Sequence, residues 1–86
     1  MKLLGRKLLQ PLYGVDSETD RWLNVWSSEL ANATWKSHLQ ILQQFPSVLY
    51  EEPEYYYFRV AKIATRLKVS FCLSHGIVVI CGLRND

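Results

Sequence analysis

The stretch that decides the fold is Tyr55-Tyr56-Tyr57-Phe58-Arg59-Val60-Ala61-Lys62-Ile63-Ala64-Thr65-Arg66-Leu67-Lys68-Val69-Ser70-Phe71-Cys72-Leu73-Ser74-His75-Gly76-Ile77-Val78-Val79-Ile80-Cys81-Gly82-Leu83. Apolar and polar residues alternate through it, and the breaks predict three strands: Tyr55 to Val60, Thr65 to Leu73 and Ile77 to Leu83. Ser74-His75-Gly76 reads as a three-residue hairpin loop, with glycine where a left-handed backbone is needed. That loop pairs Leu73 with Ile77, Phe71 with Val79, Val69 with Cys81 and Leu67 with Leu83 on one face. A four-residue loop, Ala61-Lys62-Ile63-Ala64, avoids the positive φ angles that Lys-Ile resists. It sets Phe58 beside Leu67 and Tyr56 beside Val69 on that same apolar face.

The period of two then assigns Tyr57, Arg59, Arg66, Lys68 and Arg84 to the opposite face. Arg59 falls opposite Arg66, and Arg66 opposite Arg84. Like charges directly across strands weaken a sheet, so stability alone gives little reason for the row. From Arg59 to Asn85 there are five cationic side chains and no Asp or Glu, which points to a partner rich in phosphate or carboxylate.

Working outward, Glu51-Glu52-Pro53-Glu54 lies in a solvated loop spanning Ser47 to Glu54, with no His or Cys near it to complete a metal site. Before it, Trp35, Leu39, Leu42, Ile41 and Phe45 predict a helix, capped by Asn32 or Thr34 and stopped by Pro46. Earlier still, Asp16-Ser17-Glu18-Thr19-Asp20 is a helix start, with Ser17 accepting from the Asp20 N–H and acids at the positive end of the dipole. Trp22, Val25, Trp26, Leu30 and Ala33 supply its inward stripe. Leu4 and Leu8 predict a short first helix over Leu3 to Leu9, lying on the core and ended by Pro11 and Gly14. The result is an α+β fold in a single domain, residues 1–86, with N-terminal helices packed on a small C-terminal antiparallel sheet.

Apolar residues at 49% and charged residues at 21% exclude a disordered chain. No apolar run approaches the roughly 18 residues of a membrane span. The opening Met1-Lys2-Leu3-Leu4-Gly5-Arg6 lacks the continuous apolar core of an export signal. Cys72 and Cys81 fall on opposite sheet faces in the register above, which a disulfide cannot bridge. A reduced, cytoplasmic protein is the expectation, with no membrane partner. No phosphate loop, metal-ligand cluster, CxxC pair or serine triad is present, so neither a metal nor another cofactor is expected.

Residues of these types can cleave RNA without a metal. The adjacent 2′-hydroxyl serves as nucleophile, and fixed cations stabilise the charge that develops on the phosphate oxygens. Arginine suits this through its bidentate fork, and tyrosine can stack on a base. Long cationic side chains also decorate the solvent faces of many antiparallel sheets, so the pattern admits both readings. His75 is a possible acid or base, or a surface residue of its loop, and His38 reads as structural.

The linear order of short motifs resembles the HigB toxins of the RelE superfamily, from bacterial type II toxin–antitoxin modules. The residues that carry this are Met1-Lys2-Leu3-Leu4, Leu23-Asn24-Val25-Trp26 and Ala33-Thr34-Trp35-Lys36-Ser37. Phe45-Pro46-Ser47, Tyr57-Phe58-Arg59-Val60-Ala61 and Arg66-Leu67 follow in order. The resemblance implies a ribosome-dependent endoribonuclease (an mRNA interferase) that cuts translated messenger RNA and is held inactive by a HigA-type antitoxin. It assigns Arg66 to the scissile phosphate and, more loosely, Lys62 to a nearby basic role; the basic sheet face adds Arg59, Lys68 and Arg84 to hold phosphates and Tyr57 to stack on a base. Ile63-Ala64-Thr65 stands where the family has N-K-Y, and relatives continue past the last residues here into T-H-x-x-Y-D. These departures raise a second expectation, a catalytically weakened or inactive module that binds an antitoxin. A ParE-like gyrase inhibitor is a third.

Overall fold

A computed structural model describes residues 1–85. Five strands, β1 (Lys2–Leu4), β2 (Leu49–Glu51), β3 (Tyr55–Arg59), β4 (Thr65–Cys72) and β5 (Ile77–Asn85), form one mixed sheet in the order β1-β5-β4-β3-β2. Two helices, α1 (Ser17–Asn32) and α2 (His38–Gln44), and 3-10 helices at Arg6–Leu12 and Leu73–His75 accompany it. The architecture is α+β, with helices preceding most of the sheet. No described helix is long and apolar enough to cross a membrane.

The central β3–β4 hairpin has the register that the alternation predicts. Phe58 pairs with Leu67, Tyr56 with Val69 and Arg59 with Arg66. Its turn places the left-handed residue at Ala61 (φ 46°) rather than on Lys62 or Ile63. Between β4 and β5, Leu67–Leu83 and Arg66–Arg84 also pair as expected. Beyond them the register slips by one. Lys68 faces Gly82 but Val69 faces Ile80, so Cys81 is an extra residue in a β-bulge. Phe71 therefore pairs with Val78 and Cys72 with Ile77, where the sequence reading expected Val79 opposite Phe71 and Leu73 opposite Ile77. The slip buries Val78 and Ile80 and leaves Cys81 exposed, replacing a small thiol by larger apolar groups in the core.

Helices cover the face formed by Tyr56, Phe58, Leu67, Val69, Phe71, Val78 and Ile80. Aromatic edges lock the layers together: Trp26 of α1 meets Phe58 at 5.5 Å, Phe45 meets Phe58 at 5.1 Å, and Trp35 meets Phe71 at 5.7 Å. Each such pair adds about 0.5–1.5 kcal/mol beyond its buried area. The buried stripe of α1 is Thr19, Leu23, Trp26, Ser27 and Leu30, rotated from the expected one, and Val25 is half exposed. Asp16, not Ser17, caps α1, its carboxylate accepting from the Thr19 N–H at 2.7 Å. In α2, Ile41 is fully buried while Leu39, expected inward, is 61% exposed. That helix starts after Ser37, later than Asn32 or Thr34 would have it.

Two further corrections concern the sheet edges. Lys2–Leu4 is not the start of a helix but an edge strand, running parallel to β5 with Leu3 opposite Val78. Its hydrogen-bond partners are more than seventy residues away, so local spacing of Leu4 and Leu8 could not reveal them. The Met1 amino nitrogen donates to the Ala31 and Ala33 carbonyls, tying β1 to the last turn of α1. At the other edge, Leu49–Glu51 pairs with Tyr55–Tyr57, so part of the expected loop is the strand β2.

Candidate nucleic-acid interface

Strand alternation turns Tyr55, Tyr57, Arg59, Arg66, Lys68 and Arg84 away from the helices, onto the uncovered face. Arg59, Arg66 and Arg84 form one row across β3, β4 and β5, and Tyr57, Lys68 and Gly82 form the next. Arg59 and Arg84 are exposed and Arg66 half-buried. The row aligns three arginine positions at the end of the sheet where β3 finishes and β4 begins. Three planar forks on a rigid sheet can bind several phosphate oxygens at once.

Neighbouring aromatics position these cations. Lys68 Nζ lies 4.3 Å from the centroid of the Tyr55 ring. Arg84 Cζ lies 5.1 Å from the centroid of Tyr57, whose hydroxyl donates to Glu51 Oε1 at 3.0 Å. Tyr57 is only 6% exposed, so its ring is not open to a base as the sequence reading expected. It serves instead as a support for Arg84.

The face is also less purely basic than the acid-free stretch from Arg59 to Asn85 implies. Glu51 reaches Tyr57 from β2, and Glu54 Oε2 accepts from Ser70 Oγ at 2.8 Å. Ser70 pairs with Tyr55, at the opposite end of β3 from Arg59, so the carboxylate of Glu54 grades the face away from the arginine row. These acids come from the segment predicted as loop, and only the pairing of Glu51 with Tyr55 brings them in.

Two expected site residues lie elsewhere. Lys62 Nζ sits 3.8 Å from Glu18 Oε1 in the first turn of α1, on the helix side of the sheet and not beside Arg66. Both partners are highly exposed, so this pair holds Lys62 weakly. His75 lies past the other end of β4 from Arg66. At about 3.3 Å per residue the strand separates them by roughly 20 Å, too far to share one phosphate. Its Nδ1 contacts Cys72 Sγ at 3.2 Å and Ser74 Oγ at 3.1 Å instead.

A cleft of about 160 Å³ opens between α1 and the end of β3, lined by Trp22, Trp26, Phe45, Val48, Phe58 and Arg59 among others. Trp22 stacks on Trp26 at 5.9 Å with ring planes 12° apart, and Trp26 Nε1 is buried without a hydrogen-bond partner. Arg59 thus belongs both to the arginine row and to the wall of this cleft. Nothing in the alternation of β3 revealed the cleft, because it forms only where a helix crosses the strand.

His38 is built into the aromatic layer. Its Nδ1 lies 2.6 Å from the Tyr56 hydroxyl and its ring 4.3 Å from that of Tyr50. Burial pushes the Tyr56 phenol above its ordinary pKa, and Tyr50 beside it adds to the effect. At the start of α1, the Thr19 N–H holds the Asp16 carboxyl below the usual carboxylate range. Among the described residues no three His, Cys, Asp or Glu side chains are grouped to hold a metal ion. The sequence matches no protein-family model and no curated protein.

Proposed function

We propose that the chain is a HigB-like toxin acting in the cytoplasm, an endoribonuclease that cuts messenger RNA on the ribosome and is neutralised by a HigA-type antitoxin. The observation that carries this is the registered row Arg59–Arg66–Arg84 on the uncovered sheet face. Arg66, flanked on both sides, would meet the scissile phosphate, with Arg59 and Arg84 on its other oxygens or on neighbouring phosphates. The 2′-hydroxyl attacks in line and gives its proton to water, and a 2′,3′-cyclic phosphate forms as the bond to the 5′-oxygen breaks. That oxygen takes a proton from water, and the guanidinium groups stabilise the added charge. Lys68, over Tyr55, extends the basic track. Lys62 is not part of the group in this conformation.

Expression of the 86-residue chain in bacteria, with 5′ ends of cellular RNA mapped by sequencing, tests the proposal. New cuts confined to translated frames and lost with Arg66→Ala are expected. Cuts that persist in Arg66→Ala would remove that residue from the mechanism.

A second reading, a non-catalytic module that binds an antitoxin-like protein, is favoured by the tryptophan-lined cleft, which can take an apolar side chain of a partner. Normal growth and no new RNA ends, together with co-purification of a small protein lost on Trp22→Ala, would support it over cleavage.

A further inference from the structure

The β4–β5 hairpin brings together a thiol, an imidazole and a hydroxyl that the arginine row does not use. Cys72 Sγ lies 3.2 Å from His75 Nδ1 and 3.7 Å from Ser74 Oγ, and Ser74 Oγ lies 3.1 Å from the same His75 nitrogen. Cys72 is the last residue of β4 and the other two lie in the turn that follows, closed by Gly76 at φ 64°. The three side chains therefore converge because the turn folds back on the strand end. All three are exposed, so solutes reach the sulfur. A hollow lined by Ser74, His75 and Gly76 with Met1, Thr34 and Trp35 adjoins the imidazole.

We propose that Cys72 is a modification site, a nucleophilic thiol activated by His75 that hydroperoxides oxidise to a sulfenic acid. The Cys72 S–H gives its proton to His75 Nδ1, and the imidazolium N–H then donates to the thiolate. The Ser74 hydroxyl can turn its hydrogen to the same sulfur, so the thiolate has two donors. A thiolate lone pair attacks the terminal oxygen of the hydroperoxide. The S–O bond forms as the O–O bond breaks, sulfur loses two electrons and the peroxide gains them. The leaving oxygen takes the proton held at His75 Nδ1 and departs as water or an alcohol. No metal is needed, and the step is independent of RNA cleavage.

Cys81 is a control inside the same molecule. It is also exposed, but among the described residues its Sγ contacts the Val79 carbonyl at 3.6 Å and no imidazole. The purified chain is treated with hydrogen peroxide, trapped with a sulfenate-specific dione, and read by peptide mass spectrometry at each cysteine. Cys72 should label roughly tenfold faster than Cys81. In the variant His75→Asn, checked for an unchanged fold by circular dichroism, the Cys72 rate should fall to that of Cys81. Ser74→Ala should give an intermediate rate. Equal labelling of the two cysteines in the unmodified chain, or a Cys72 rate indifferent to His75→Asn, would overturn the proposal.

Discussion

Arg84 Cζ lies 5.1 Å from the ring centroid of Tyr57, two strands away across β4. The contact runs diagonally, from the arginine row to the neighbouring row in which Gly82 offers no side chain. With its hydroxyl held by Glu51, the ring is a fixed platform beneath the cation. A coupling between Arg84 and Tyr57 of about 0.5–1 kcal/mol is expected for a cation–π pair whose cation stays in solvent. Urea unfolding of Arg84→Ala, Tyr57→Leu and the double variant measures it, and strictly additive effects would show that the ring does not hold the guanidinium.

Gly5 links β1 to the 3-10 helix at φ 87°, and a β-carbon there would lie 2.6 Å from the Ile80 carbonyl oxygen. Gly14 has the same φ of 87° with nothing near an added β-carbon. Both alanine variants meet the left-handed penalty, but only Gly5→Ala also collides with β5. Gly14→Ala should cost about 1 kcal/mol and Gly5→Ala at least about 2 kcal/mol. Thermal melts of the two variants compare them directly, and equal losses would mean that β1 shifts freely away from β5.

Burial raises the pKa of the Tyr56 phenol above its ordinary value of 10.0 in the folded chain. Its neutral form is therefore favoured by folding, and the contribution is complete below that value. Stability should decline as pH rises from 10.0 toward the higher folded value, because the unfolded chain releases the proton first. Tyr56→Phe should flatten this alkaline limb. At neutral pH the same change leaves His38 Nδ1 without its partner and should cost about 1 kcal/mol. Chemical denaturation across the alkaline range reads both effects, and an unaltered limb would assign it to another group.

Asp16 gives the opposite sign. Its carboxyl is depressed below 3.8 by the Thr19 N–H, so its contribution is present above that pH and is lost as pH falls through the folded value. Asp16→Asn keeps a side-chain acceptor for Thr19 but cannot titrate. It should retain most of the midpoint at neutral pH and lose part of the acid dependence. Asp16→Ala should lower the midpoint at neutral pH. If Asp16→Asn melts as low as Asp16→Ala, the cap depends on charge and not on the hydrogen bond.

How much of this was legible follows from the range of each interaction. The alternation from Tyr55 to Val69 is local, and the four-residue loop chosen to spare Lys62 and Ile63 a positive φ leads to the register observed. The row Arg59–Arg66–Arg84 came with it, since those residues share the parity opposite to Phe58, Leu67 and Leu83. The start of α1 was equally visible, although the capping oxygen belongs to Asp16 and not Ser17. His75 was singled out as chemically capable, but its partner Cys72 was read only for disulfide geometry. The i to i+3 spacing of Cys72 and His75 around a glycine turn was the available signal.

The sequence by itself determined the α+β class and the β3–β4 hairpin, because side-chain period and turn chemistry are properties of neighbouring residues. Tertiary structure alone decided that Lys2–Leu4 joins the sheet beside β5, since backbone hydrogen bonding between distant segments leaves no periodic mark. It also placed the bulge at Cys81, because the chain slips by one residue to bury Val78 and Ile80 together. And it set Tyr57 under Arg84 and beside Glu51, where an expected base-stacking ring is covered. Alternation assigns a side chain to a face, but what lies over that face depends on how far long side chains reach from other strands.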